Sequence, residues 1–390
     1  MAKFDFTNSR YAKFFSDKEN QRFLQTFLDK KDIFFTNYGW YLTQGKIAAN
    51  LTPTDHNGLA TFSVKCKKLE AAKLMSMRAP LGDATVGDKK GLQWYSATIP
   101  DFIAEGFSQK ATELDYSLKQ YEEFGNDADL IQIWADNVQD KIDSLDTTMN
   151  FLTAKLMSTG EIDYTGIGMG IQAPIHKALI PAENFQKAGT KAWTDSDCNI
   201  LVQMQKKEWQ YREDRGGYTG ELVWQMTRKT FYETFLTNSS IKELYVNWCK
   251  AHYVAYVEGM NVTIDQFSKA FSEIQGVSPI EIVTERERNV TLTSDTTAQA
   301  WADNIVVLRP AGKVVEFERK EILDRRMTER WGNPSIKAVY ATTNNGLGLL
   351  ENTTNGDGRF VEWHTRLMLA AVPALTDFMD HVIIDISQKG

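Results

Sequence analysis

Cysteine is scarce in this chain: Cys66, Cys198 and Cys249 are the three present in 390 residues. They are odd in number, far apart and without any C-x-x-C spacing, which excludes a disulfide framework and a zinc site built on thiolates. The five histidines, His56, His176, His252, His364 and His381, form no H-x-x-x-H or H-E-x-x-H pair, so a helical metal site has no support. No apolar run has the length of a membrane span, and the opening MAKFDFTNSRYAKFF has no secretory core. An excess of positive charge is missing too: 44 Lys and Arg stand against 51 Asp and Glu, a net charge of −7. Such a chain does not grip nucleic acid through net charge. No G-x-S-x-G elbow, no recognisable cysteine nucleophile and no internal repeat occurs. The expectation is a soluble protein made in a reducing cytoplasm, with no cofactor, no metal, no membrane and no catalytic constellation.

What the chain has is length, apolar content and rings. With 390 residues, 42% of them hydrophobic, it can bury a sizeable core as two or three domains or one large elaborated one. Phe 21, Tyr 14 and Trp 10 suit extensive packing or contact surfaces and name no ligand.

The organising stretch is Asp127 to Thr159. Ile131, Trp134, Val138, Ile142, Leu145, Met149, Leu152 and Leu156 recur in steps of three and four, which predicts one long helix with one apolar face. Asn126 or Asp127 can cap its start, and Gly160 permits a left-handed exit. Leu130, Ile133, Phe151 and Met157 widen the stripe beyond a coiled-coil seam, so a layer is expected to pack on it. Asp136, Asp140, Asp143 and Asp146 lie off the stripe and read as a solvated face. At a rise of 1.5 Å per residue the helix extends roughly 50 Å, a beam across a flat or elongated molecule.

Before it, residues 1–55 form an aromatic-rich arm with a short helical pattern from Asp17 to Leu28, which must pack on its own body or on a neighbour. ATFSVKCKK (60–68) and GLQWYSATIPDFIAEGF (91–107) are extended runs around the polar RAPLGDATVGDKKG (78–91), which predicts a long hairpin with a flexible polar tip. Gly82, Gly87 and Lys89 approach a phosphate-loop pattern, but Asp88 precedes the lysine, no Ser or Thr follows it and no helix opens there. Gly166, Gly168 and Gly170 read as a bent extended segment and not as a dinucleotide loop.

After the long helix, residues 194–257 read as mainly helical, with Thr194, Asp195, Ser196 and Asp197 as caps ahead of Ile200. ELVWQM (221–226) reads as a strand, the following TRKTFYETFLTNSSIKEL as a helix with a break, and 261–277 as a short helix. Strands at 278–293 and in WADNIVVLRPAGKVVEF (301–317) complete a compact α+β domain over about 195–345. TTNNGLGLLENTTNGDGR (342–359) predicts an exposed, mobile polar loop, and 360–386 two extended runs around a turn from Thr376 to Asp380. The mixed-sign runs 284–289 and 317–330 suit solvated surfaces or salt-bridged subunit contacts, not a nucleic-acid groove.

The order of these elements, together with LMSTGEI (156–162), WTDSDCNILVQM (193–204), SPIEIVTERERNVT (278–291), WADNIVVLRP (301–310) and the ending 372–386, resembles the major capsid proteins of tailed phages. The likeness is to the lambda-type capsid family, within the Hong Kong ninety-seven type fold. It implies an α+β fold with an N-terminal arm at 1–55, an extended β-hairpin loop at 56–110, a peripheral domain from 111–195 and 350–390 with a spine helix at 127–159, and an axial domain at 196–349.

The resemblance further implies a structural protein, not an enzyme, that self-assembles as hexamers and pentamers into the icosahedral head. Double-stranded DNA is enclosed without sequence-specific binding. Subunit contacts fall to the loop tip, Arg78, Leu81, Asp83, Asp88, Lys89, Lys90 and Trp94, while Trp134, Val138, Ile142, Leu145, Met149 and Leu152 pack the spine helix. The arm lacks a long charged helical extension, so a separate scaffolding protein is expected, with a portal and decoration proteins as further partners. Location is the virion, after assembly in the bacterial host cytoplasm. Alternatives are an encapsulin-type compartment and, from another class, a carbohydrate-active enzyme or binding module with two facing carboxylates in a deep pocket.

Overall fold

The computed structural model describes residues 16–22, 26, 46–47, 52–53, 60–71, 92–99, 103–110, 119, 123, 128–163, 175–252, 267, 271, 273, 277–283, 286–290, 295–319, 336–341, 348–356 and 360–390, in places by backbone alone. The expected long helix runs over Ala128–Thr159. Val138, Ile142, Leu145, Met149, Leu152 and Leu156 are all buried, as are Phe151 and Met157. The three-four spacing thus becomes one packed face, set against strands Ile103–Lys110 and Ala371–Leu375. Asp140 and Asp143 are exposed. The side chains of Ile131 and Trp134 and the capping candidates Asn126 and Asp127 lie outside the described residues. At the exit Gly160 takes φ 77° and its amide donates to Leu156 O at 2.8 Å. A Cβ there would meet Ile180 Cδ1 at 3.1 Å and Phe185 Cζ at 3.2 Å, so glycine serves both the left-handed turn and a close approach.

The main sheet has five strands in the order Ile280–Val283, Leu222–Thr227, Ile305–Pro310, Val382–Lys389 and Phe185–Gly189. The two outer pairs are parallel and the two inner pairs antiparallel. Every residue of Leu222–Thr227 is buried, the polar Gln225 and Thr227 included, so this strand is covered on both faces. Trp193, Trp224, Phe231, Phe235, Phe267 and Phe271 share its core. Phe231 and Phe235 stack at 5.7 Å, and Phe267 meets Phe235 edge-on at 5.5 Å, geometries that add to plain area burial.

Two helices flank this core. Ile200–Glu213 is capped by Asn199, whose side chain accepts from Val202 N at 3.1 Å, not by the run Thr194–Asp197. That run is spent on a preceding turn, in which Cys198 N donates to Asp195 O at 3.0 Å and Ala192 N to Asp195 Oδ2 at 3.3 Å. In the broken helix the first part, Thr230–Phe235, is wound as a π-helix, and Asn238 restarts the second, Ser239–Ala251, by accepting from Ser240 N at 3.0 Å.

Consecutive strands repeatedly change sheet. Gln93–Ile99 pairs with Ala60–Cys66, but Ile103–Lys110 pairs with Phe360–Leu369. Ile305–Pro310 and Val315–Arg319, separated by Gly312 at φ 98°, also part company. Phe360–Leu369, Ala371–Leu375 and Val382–Lys389 enter a four-, a three- and a five-stranded sheet in succession. From the arm, Lys46–Ile47 pairs with Val315–Arg319.

One expectation is overturned here. Within 342–359, read from the sequence as a mobile loop, Gly348–Gly356 is a strand hydrogen-bonded to Ile336–Ala341 on one side and Phe360–Leu369 on the other. Backbone pairing on both edges outweighs the turn propensity of Asn and Gly, and Thr353 and Thr354 fit a pleated surface. The expected 349/350 domain boundary runs through this strand.

Candidate functional site

The hairpin is the feature with two distinct faces. Ala60–Cys66 lies antiparallel to Gln93–Ile99, with Val64 opposite Tyr95 and Lys65 opposite Trp94. Because side chains alternate along a strand, Phe62, Val64, Cys66, Tyr95, Ala97 and Ile99 turn inward and are buried. Ser63, Lys65, Trp94 and Ser96 face out. Trp94 is 59% exposed and its neighbour Leu92 48%. Of the residues expected to make subunit contacts, Arg78, Leu81, Asp83, Asp88, Lys89 and Lys90 lie outside the described residues, as do Gly82, Gly87, Gly166, Gly168 and Gly170. Trp94 lies on an arm of the hairpin.

Where the chain leaves Ala60–Cys66 for the connecting loop, the hairpin is fastened to the turn at 376–381. Leu69 N donates to Asp380 Oδ2 at 2.8 Å, and Arg215 Nε donates to Asp380 Oδ1 at 2.6 Å. Ala71 N in turn donates to Arg215 O at 2.9 Å. Tyr211 OH reaches Asp380 O at 3.0 Å and lies under the guanidinium, with Cζ 3.6 Å from its ring centre. Met379 O accepts from Asn184 Nδ2 at 2.9 Å. The ion pair is almost fully buried, 3% and 1% exposed, and the surrounding hydrogen bonds offset the desolvation that such a pair incurs. Burial raises the Asp380 carboxyl, while Arg215 and the Leu69 amide pull it back. Asp377 is pushed up to about 6 by burial and by Asp380. The Cys66 thiol, raised to about 11 by burial, is no nucleophile at neutral pH.

The same turn touches two further elements. Phe378 meets Tyr95 of the hairpin edge-on at 5.0 Å, and Tyr95 OH donates to Leu375 O at 3.4 Å. His381 Nε2 donates to Met157 O at 2.7 Å, tying in the last turns of the long helix. Beside this joint opens a cleft of about 350 Å³ lined by Lys68, Glu183, Lys207, Asp214 and Arg215 among others. Lys207 Nζ donates to Gln186 Oε1 at 2.8 Å, and burial lowers its pKa. Among the described residues no three His, Cys, Asp or Glu side chains are arranged to hold a metal ion. The arrangement is a joint: it ties the chain just past Ala60–Cys66 to Arg215 and to the turn at 376–381. Sequence reasoning missed it because Arg215 and Asp380 are 165 positions apart and neither belongs to a local motif.

No protein-family model and no curated protein matches the sequence. Solved structures do match. One is a capsid-assigned protein from a prophage of Escherichia coli CFT073, at 15% identity and TM-score 0.48, covering 94% of this chain and 98% of that one. A phage-related protein of Bordetella bronchiseptica RB50 follows at 14% identity and TM-score 0.45, with 94% and 97% covered. The capsid of cyanophage P-SCSP1u aligns at 10% identity and TM-score 0.38, with 92% and 94% covered. Each of these alignments runs over more than nine tenths of this chain.

Proposed function

We propose that the chain is a major capsid protein that assembles as hexamers and pentamers into the icosahedral head of a tailed phage, around double-stranded DNA. The observation that carries this reading is the two-faced hairpin. Its inner face is buried, while Leu92 and Trp94 stand in solvent on its outer side. Large apolar side chains on a projection are of use when a neighbour covers them, and tryptophan is among the residues favoured at the centre of such contacts. A thin shell also needs a rigid element to set subunit length. The 32 residues of Ala128–Thr159 supply about 48 Å of it at 1.5 Å per residue.

In this reading 1–55 is the N-terminal arm, 56–110 the extended loop, 111–195 with 350–390 the peripheral domain around its spine helix, and 196–349 the axial domain. The loop tip from Arg78 to Lys90 reaches an adjacent subunit, and many such weak contacts add up around a closed ring. A separate scaffolding protein, a portal and decoration proteins are the partners, and the finished particle is the virion.

Negative-stain microscopy with mass photometry on the full chain, alone and with the product of a neighbouring scaffold gene, tests the reading. Rings of five or six subunits, tubes or closed particles are expected; a monomer under every condition overturns it. Deleting Leu81 to Lys90 is expected to leave a folded subunit that closes no shells. Normal shells from that deletion would remove the loop tip from the mechanism.

A further inference from the structure

His176 lies where the hairpin meets the body. It is 3% exposed and neither ring nitrogen has a hydrogen-bond partner. Its chain neighbours Ile175 and Lys177 are exposed, so at this point of the strand His176–Lys177 the imidazole alone turns inward. Tyr95 of the hairpin stands edge-on to it at 6.1 Å, and the same ring stands edge-on to Phe378. Three rings thus form a dry seam between the hairpin, the strand and the 376–381 turn.

Among the described residues, no charge bonded to the imidazole would compensate a proton on it. On the hairpin side the titratable groups are Cys66 and Tyr95, both held neutral by burial. On the turn, Asp380 is engaged by Arg215 and the Leu69 amide, and His381 donates to Met157 O. Asp377 bears on Cys66, Tyr211 and Arg309, and Asp380 on Cys66 and Tyr211. On the strand pair of His176 itself, Glu161 and Lys177 face each other in solvent at 3.8 Å. Charging the ring therefore places an uncompensated cation in an apolar seam.

We propose that His176 is a proton-operated latch: the neutral ring seals the seam, and its protonation by solvent drives it out, releasing the hairpin from the body while the five-stranded sheet stays folded. Burial holds this imidazole at about 4, against the ordinary 6.5, which sets the window. The contribution of the neutral ring is whole above pH 6.5 and is lost as pH falls to about 4. The latch belongs to the single chain and does not depend on what the hairpin contacts.

Three buried thiols report on it: Cys66 at the end of the first hairpin arm, and Cys198 and Cys249 in the body. The full-length chain is treated with a dithiodipyridine, which labels thiols in acid as well as at neutral pH. Labelling of each cysteine is followed by peptide mass spectrometry between about pH 7 and pH 4.5, with rates normalised to the urea-unfolded chain. Cys66 labelling is expected to accelerate about tenfold or more in acid, as protonation shifts the opening equilibrium, while Cys198 and Cys249 stay slow. In His176→Phe, which keeps a ring against Tyr95 and cannot charge, the acceleration of Cys66 is expected to vanish. His176→Gln provides a second uncharged variant, and circular dichroism at neutral pH selects the variant that folds. A Cys66 rate that does not rise in acid, or rises equally in the folded variant, overturns the latch. Acceleration of all three thiols together overturns it as well, because that is global unfolding.

Discussion

Strands Leu222–Thr227 and Gln93–Ile99 are built from similar residues and used in opposite ways. In the first, all six side chains are buried, and Trp224 is fully enclosed with its indole Nε1 donating to Glu208 Oε1 at 2.6 Å. In the second, Tyr95, Ala97 and Ile99 are buried while Trp94 stands 59% exposed. Two tryptophans in one chain thus serve different ends. Where both faces of a strand are covered, its sequence is devoted to packing; where one is covered, the other face is free to carry a contact.

Substitutions test that contrast, beginning where the effect is largest. Trp224→Ala empties the core and leaves Glu208 without its indole donor, so a loss of about 4 kcal/mol is expected from urea unfolding. A loss below about 1 kcal/mol would show that the core is not organised around this ring. Arg215→Met breaks the joint between the two regions and strands Asp380 in the interior, at an expected cost of about 3 kcal/mol. Its signature is faster hydrogen exchange at 67–71, with Leu222–Thr227 protected; equal exchange in both places would make the joint part of the general core.

Acid titration comes next in size. His176 and His381 are both held at about 4 by burial, so each contributes about 3 kcal/mol that is complete above pH 6.5 and lost by about pH 4. Asp377, raised to about 6, has the opposite sign: its contribution is complete below 3.8 and is lost as pH rises through 6. Asp380 is raised too and acts in the same sense as Asp377. Two histidines outweigh the raised carboxylates, so a net loss of stability is expected from pH 6.5 to 4, read from the urea midpoint. A flat or rising profile would mean that the carboxylates dominate. Smallest for folding is Trp94→Ser, expected to move stability by no more than about 0.5 kcal/mol while abolishing ordered assembly. A larger destabilisation would assign Trp94 to the fold.

The parts of the fold legible in the sequence are those with a local period. Eight apolar positions at helical spacing and a glycine stop located Ala128–Thr159 to within a residue at its start. Alternation located the first arm of the hairpin, while the extended run 91–107 overreached the second, since Ile103–Lys110 belongs to another sheet. Gly348–Gly356 was illegible because its pairing partners come from both sides of the sheet while its own residues favour turns. The same holds for the joint: Leu69, Arg215 and Asp380 are brought together by topology, and nothing near any of them in the chain announces it. The Asn199 cap shows a finer limit, since four good capping residues precede it and only the path of the chain decides which is used.

Strand Val382–Lys389 is synthesised after its four companions, yet its place lies between Ile305–Pro310 and Phe185–Gly189. On the ribosome both of those neighbours therefore wait with open edges, and the main sheet is split until the last of the chain arrives. Sealing of that gap comes late and joins residues far apart in sequence, which favours slow folding. The main sheet is thus completed only once Val382–Lys389 has been made.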